Sequence, residues 1–139
     1  MRTAEADSAI HAGAPAWMVL SVGAWASREH AHVLGKTRVG AGILTAAGMC
    51  FYGCNVEHQF RSHDVHAEVN AITTMVAAGE KQISAILIVA DRTRFTPCGA
   101  CMDWIFQFGG GACLVGFQKQ QGGTIEVYRA DELMPHYPS

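Results

Sequence analysis

Ile83–Ala90, ISAILIVA, is a continuous apolar run of strand length. A strand without polar alternation needs cover on both faces, so this one is expected at the middle of a sheet with helices above and below. Its neighbours fit that placement. Upstream, Val69, Ile72 and Val76 recur at helical spacing across residues 65–78, and Gly79 is a suitable C-terminal stop. Downstream, a helix is expected from Pro97 to about Phe108, ending at Gly109-Gly110-Gly111 before a strand over 112–117. Strand-helix-strand units of this kind predict parallel pairing and right-handed crossovers.

Farther out, residues 1–14 read as a loose, Ala-rich lead-in, and Pro15 can open a helix to about His32, ended by Gly35. Its inner face would carry Trp17, Leu20, Ala24 and Ala31. Residues 37–45 and 49–54 read as strands joined across Ala46-Ala47-Gly48, and 55–63 as a polar loop. A turn at 118–123, a strand at 124–129 and a short helix at 130–134 complete the chain. The expected fold is α/β: a three-layer α-β-α sandwich on a five-stranded mixed sheet, in one domain over 1–139.

Composition narrows the function. The chain has 10 Lys plus Arg against 12 Asp plus Glu and no basic run, so it carries no electrostatic footprint for a nucleic acid polymer. A small-molecule substrate fits better. Half the residues are apolar and only 16% charged, which describes a compact fold with some apolar surface covered by sister subunits. The apolar stretch 14–26 ends in Ala24-Trp25-Ala26 and could imitate a secretory leader, but Glu5 and Asp7 precede it. It is too short to span a bilayer, so it reads as a first helix and no membrane association is expected. Five cysteines is an odd count, and two sit in a metal motif, which argues for a reducing, cytoplasmic compartment. Cys50, Cys54 and Cys113 are expected to be buried and inert.

That motif is His66-Ala67-Glu68 with Pro97-Cys98-Gly99-Ala100-Cys101. One His and two Cys make three metal ligands, one short of a closed tetrahedral shell, and Glu68 is a carboxylate left over to move the protons of a water. Cys98 and Cys101, at i and i+3, can grip one ion from one helix face. Asp64 is a plausible N-cap for the helix carrying His66 and Glu68, so two helix N-termini would face the metal and favour thiolate. The pattern H-x-E with P-C-x-x-C resembles that of the zinc-dependent base deaminases.

From about Ala24 to Pro135 the chain resembles the cytidine deaminases of the compact, single-domain kind. Val39-Gly40-Ala41-Gly42-Ile43-Leu44, Gly53-Cys54-Asn55-Val56-Glu57 and Glu132-Leu133-Met134-Pro135 carry the likeness, as does the interval of 11 residues from Asn55 to His66. The resemblance implies Zn2+ on His66, Cys98 and Cys101, and proton shuttling by Glu68. It further implies a ribose hydroxyl held by Asn55 and Glu57, a pyrimidine carbonyl facing the Ala67 amide, and a homo-oligomer, tetramer or dimer, by analogy with small members. The reaction implied is hydrolytic deamination of an aminopyrimidine nucleoside such as cytidine or deoxycytidine.

The departures are as informative. His66 stands where small members usually carry Cys, and Val69 where they carry Arg after the Glu. The two changes agree: three thiolates leave a net negative zinc site that an Arg offsets, whereas one neutral His and two thiolates are already balanced. Thr37 aligns with the family's base-stacking aromatic, so that stacking is absent or supplied elsewhere, and Met102-Asp103 replaces the customary Arg-Gln.

Three other readings stay open at this point. A deaminase of a modified nucleoside resembling blasticidin S deaminase shares the zinc motif, but a shorter interval from Asn to the zinc ligand is expected there. His63 with His66, Cys98 and Cys101 would close a structural Cys₂His₂ shell. Cys98 and Cys101 alone would make a redox pair. His58, Phe60 and Arg61 are either substrate or subunit contacts or plain surface, Trp104, Phe106 and Phe108 read as core or interface packing, and His11, His30, His32 and His136 as solvated.

Overall fold

The computed structural model describes residues 2–3, 14–93 and 95–138. The elements in order are β1 (Arg2–Thr3), α1 (Ala14–Arg28), β2 (Val39–Thr45), β3 (Cys50–Cys54), a 3-10 turn (Arg61–His63), α2 (Ala67–Ala77), β4 (Ile83–Ala90), α3 (Gly99–Gly109), β5 (Leu114–Gln118), β6 (Ile125–Arg129) and α4 (Ala130–Leu133). They form one mixed sheet in the order β1-β6-β5-β4-β2-β3. The five expected strands are all present. The sixth is the two-residue edge strand β1, which pairs antiparallel with β6 and so draws part of the expected lead-in into the sheet. Of the remainder, Ala14 opens α1, and residues 1 and 4–13, with His11, lie outside the described residues.

β4 is central, antiparallel to β2 and parallel to β5. Alternation along it divides the core. Ala85, Leu87 and Val89 face α1, where Trp17, Leu20, Ala24 and Trp25 are buried, while Ile86 and Ile88 face α2 and α3 and meet Ile72, Met75 and Ile105. Helices therefore cover both faces, as the sequence predicts.

The helix boundaries differ in ways that matter to the site. α1 ends at Arg28, short of His32, because His32 is taken into a bridge with Val56 and exchanges backbone bonds with Asn55 and Glu57. On α2 the buried stripe is Glu68, Ala71, Ile72 and Met75, with Ala67 beside it, while Val76 is exposed. The helix lies too close to β3 for large side chains: a Cβ on Gly53 would strike the Ala71 amide and stand 2.9 Å from the Ala67 carbonyl oxygen. Small residues set the contact face there, and apolar periodicity does not register them. Cys113 is buried as expected, whereas Cys50 and Cys54 are half-buried on β3. Trp104, Phe106 and Phe108 pack partly buried against the core, and His30, His32 and His136 are exposed.

Candidate active site

Two helix starts meet at one point. α2 begins at Ala67 with His66 as its N-cap, and α3 begins at Gly99 with Cys98 as its N-cap. Both caps have extended backbone, and their carbonyls accept the first helical bonds, from Asn70 and Met102 respectively, at 2.9 Å. Neither side chain caps its helix, so imidazole and thiol remain available for another partner. The expected N-cap, Asp64, is employed elsewhere. Its Oδ1 accepts the His58 N–H at 2.6 Å and its Oδ2 accepts from Arg61, closing the 57–64 loop instead.

Cys101, one turn into α3, brings the third donor. His66 Nδ1 lies 3.2 Å from Cys101 Sγ and 3.4 Å from Cys98 Sγ, and all three donors fall within 4.8 Å of one another. Ligand atoms around a tetrahedral zinc, at bond lengths of about 2.0–2.3 Å, are about 3.5 Å apart, so the cluster fits the ion. His63 is not part of it. Its ring packs against those of His58, at a centroid distance of 5.0 Å, and Phe60, so the four-ligand structural shell is not formed among the described residues. The two helix N-termini add partial positive charge around the thiols, as the spacing predicts.

Glu68 is buried, with 5% of its surface exposed, and its carboxyl reaches the Cys101 thiol. Burial raises its pKa above the ordinary carboxylate value, opposed by hydrogen bonds from its own backbone amide and from Cys101. The Cys101 thiol is pushed up as well, first by burial and then by the neighbouring Glu68 charge. A cation among the three donors reverses that preference, because thiolate is the ligand form.

The cluster opens into a cavity of about 290 Å³ that Thr37, Asn55, Glu57, Ala67, Glu68 and Phe95 help to line. The proposed sugar-binding pair is thus brought to the same cavity as the metal donors. Both side chains also have structural partners. Asn55 is buried; its Oδ1 accepts the Val39 N–H at 2.8 Å and its Nδ2 donates to the Thr37 carbonyl at 2.9 Å. Glu57 Oε1 accepts the N–H groups of Leu34 and Gly35 at 2.7 and 2.9 Å, and its Oε2 meets Arg61 at 3.3 Å. The Gly35 and Leu34 amides, and Arg61 after them, hold the Glu57 carboxyl below its ordinary range. Gly35 therefore serves as a donor to Glu57 and not as a helix stop.

Phe95, in the same wall, carries no signature in the sequence. It has no spacing to a partner, and its one signal is its nearness in the chain to Cys98. The ion pairs of Arg61 with Glu57 and Asp64 were likewise illegible, since they depend on the loop closing.

An α-β-α sandwich with a His-Cys-Cys donor set and a buried carboxylate beside it defines the class of zinc-dependent hydrolases that act on amino-bearing bases. Residues 17–117 match the cytidine and deoxycytidylate deaminase zinc-binding region, and the chain belongs to that family. A cytidine deaminase of Sporosarcina psychrophila is 34% identical over 111 residues, 78% of this chain and 81% of that protein. A probable cytidine deaminase of Dictyostelium discoideum is 38% identical over 86 residues, which span 60% of this chain and 58% of that protein. Among solved structures, the cytidine deaminase of Burkholderia pseudomallei is 32% identical and superposes with a TM-score of 0.79 over 86% of this chain and 96% of its own. Among the described residues no helix is long and apolar enough to cross a membrane.

Proposed function

We propose that this chain catalyses the hydrolytic deamination of an aminopyrimidine nucleoside, cytidine or deoxycytidine, to the uridine-type product and ammonia. The observation that carries the reading is the Glu68 carboxyl, buried at the edge of a three-donor cluster and lining a cavity of nucleoside size. His66, Cys98 and Cys101 hold the metal. When bound, zinc supplies a Lewis acid that makes water a nucleophile near neutral pH.

Glu68 moves the protons. Desolvation makes it a readier proton carrier than an exposed carboxylate, which suits a group that takes one proton of the water and gives it to the ring nitrogen, then takes the second from the added hydroxyl and gives it to the departing amine. Water adds its oxygen to the ring carbon and the exocyclic nitrogen leaves as ammonia, so no redox partner is needed. The Ala67 N–H belongs to the first turn of α2, whose amides have no carbonyl within the helix, and it binds the pyrimidine carbonyl. Asn55 and Glu57 receive the ribose, with Oε2 of Glu57 retaining acceptor capacity beside Arg61.

The described strands share one sheet, which supports a single domain. The chain works as a homo-oligomer, dimer or tetramer. In support, α1 has no charged residue before Arg28 and turns Met18, Val19 and Val22 to solvent at 73%, 52% and 73% exposure. All five cysteines are free, in keeping with a cytoplasmic setting.

The test is ammonia release from cytidine, deoxycytidine, free cytosine, aminopurines and blasticidin S by the zinc-loaded protein. Turnover of the first two supports the reading. Turnover of blasticidin S alone transfers the activity to a modified nucleoside, and no release from any of them overturns deamination. Light scattering on a sizing column checks the assembly, which a monomer would refute.

A further inference from the structure

We propose that Phe95 is the residue that stacks on the substrate's base and so sets preference for a planar ring; this rests on the deaminase reading above. The cavity is lined by one aromatic carbocycle among the described residues, and that is Phe95. Among the described residues the other ring in its wall is His66, which belongs to the metal donors.

Register brings Phe95 to the right place. β2 and β4 run antiparallel with Val39 opposite Ala90, so the chain before Val39 and the chain after Ala90 leave the sheet side by side. Thr37 lies on the first of these segments and Phe95 on the second, and both line the cavity. Thr37 offers only a small β-branched side chain to that wall, whereas Phe95 offers a ring. Val39, Ile88 and Ala90 line the same cavity and add apolar surface without a flat one.

Phe95 is also held firmly. It is half-buried, and its ring meets that of Phe117 at a centroid distance of 5.8 Å and an interplanar angle of 83°. An edge-to-face contact of this kind fixes a ring's orientation while leaving it able to stack on another partner. A planar heteroaromatic base gains most from a pre-oriented ring, because little side-chain freedom is lost on binding. Phe95 stands three residues before Cys98, so it moves with the loop that delivers a metal donor, and its distance from the reacting centre is set by the same backbone.

The experiment compares wild type with Phe95→Leu, Phe95→Tyr, and the double variant Thr37→Phe/Phe95→Leu, all zinc-loaded, for KM and kcat on cytidine, with melting temperature alongside. Phe95→Leu is expected to raise KM roughly 5- to 150-fold, the range of a lost base-on-ring stack, with kcat nearly kept, since the ring contacts substrate and transition state alike. Phe95→Tyr restores KM. Returning a ring from the neighbouring segment in the double variant recovers part of the loss. A purely structural Phe95 would lower the melting temperature and leave KM unchanged, and that result overturns the inference while deamination stands. If Phe95→Leu does not fold, Phe95→Met takes its place, and a wild-type KM in that variant overturns the inference as well. A wild type without turnover of any nucleoside overturns both proposals.

Discussion

Glu68 and Cys101 meet across two helix N-termini: the carboxyl on the first turn of α2 reaches the thiol on the first turn of α3, and both are buried. Neither group is placed there by its own helix alone. The meeting joins a metal donor to a proton carrier, and it sets the contrast between variants that remove the metal and variants that remove proton transfer.

Glu68→Gln retains size and hydrogen-bonding capacity but cannot carry a proton. Turnover is expected to fall by about 10²- to 10⁴-fold, the usual share of general acid-base catalysis, with zinc retained at wild-type stoichiometry. Ammonia release and elemental analysis of the same preparation check both halves. Full metal with undiminished turnover would remove Glu68 from the mechanism.

Cys101→Ser and His66→Ala each leave two donors of the three, so zinc content is expected to drop sharply and the melting temperature with it, because binding to the folded state alone stabilises it. Chelator treatment of the wild type should reproduce the shift. His63→Ala is the informative control. Its ring packs on His58 and Phe60 and not on the donor cluster, so zinc stoichiometry is expected to stay at the wild-type value, measured by elemental analysis.

Much of this was legible in the sequence, and the failures share a cause. ISAILIVA lies at the sheet centre over Ile83–Ala90, and His66, Cys98 and Cys101 converge as their residue types and spacing indicate. Covalent neighbours and periodicity are local, so local reading finds them. Asp64 does not cap α2 because the competing donors, His58 and Arg61, bond it within the closed loop. Val76 recurs at helical spacing yet is exposed, because Gly53 lets α2 approach β3 through Ala67 and Ala71. Phe95 had no pattern at all. The Asp64 contacts lie within one short loop and the Gly53 contact joins distant parts of the chain, and both exist only once the chain has folded.

Glu57 predicts a pH dependence whose sign follows from its partners. The Gly35 and Leu34 amides hold the folded carboxyl below the ordinary value of 4.5, so its contribution to stability is fully present above that value. It is lost as pH falls through the lower folded value. Glu57→Gln should therefore melt below wild type at pH 7, and the gap should close as the pH drops below 4.5. Paired melting curves over that range check it. A gap that stays constant would mean that the charge on Glu57 does not hold the 34–35 turn.

Gly53→Ala tests whether the close approach of α2 to β3 is what places the site. The added carbon would strike the Ala71 amide and stand 2.9 Å from both the Ala67 carbonyl oxygen and the Ala71 Cα, all backbone atoms that cannot rotate away. The helix must shift as a body, and it is also tied to β3 by the Cys54 N–H bonded to Asn70 Oδ1 at 3.0 Å. Overpacking of this kind costs about 1–3 kcal/mol. Because the shift carries His66 and Glu68 with it, zinc affinity and turnover should fall together with the melting temperature. Gly99→Ala, where a new carbon meets nothing within 4 Å, is expected to keep the melting temperature or raise it slightly. If Gly53→Ala melts like wild type and binds zinc as tightly, the helix is positioned by something other than that contact.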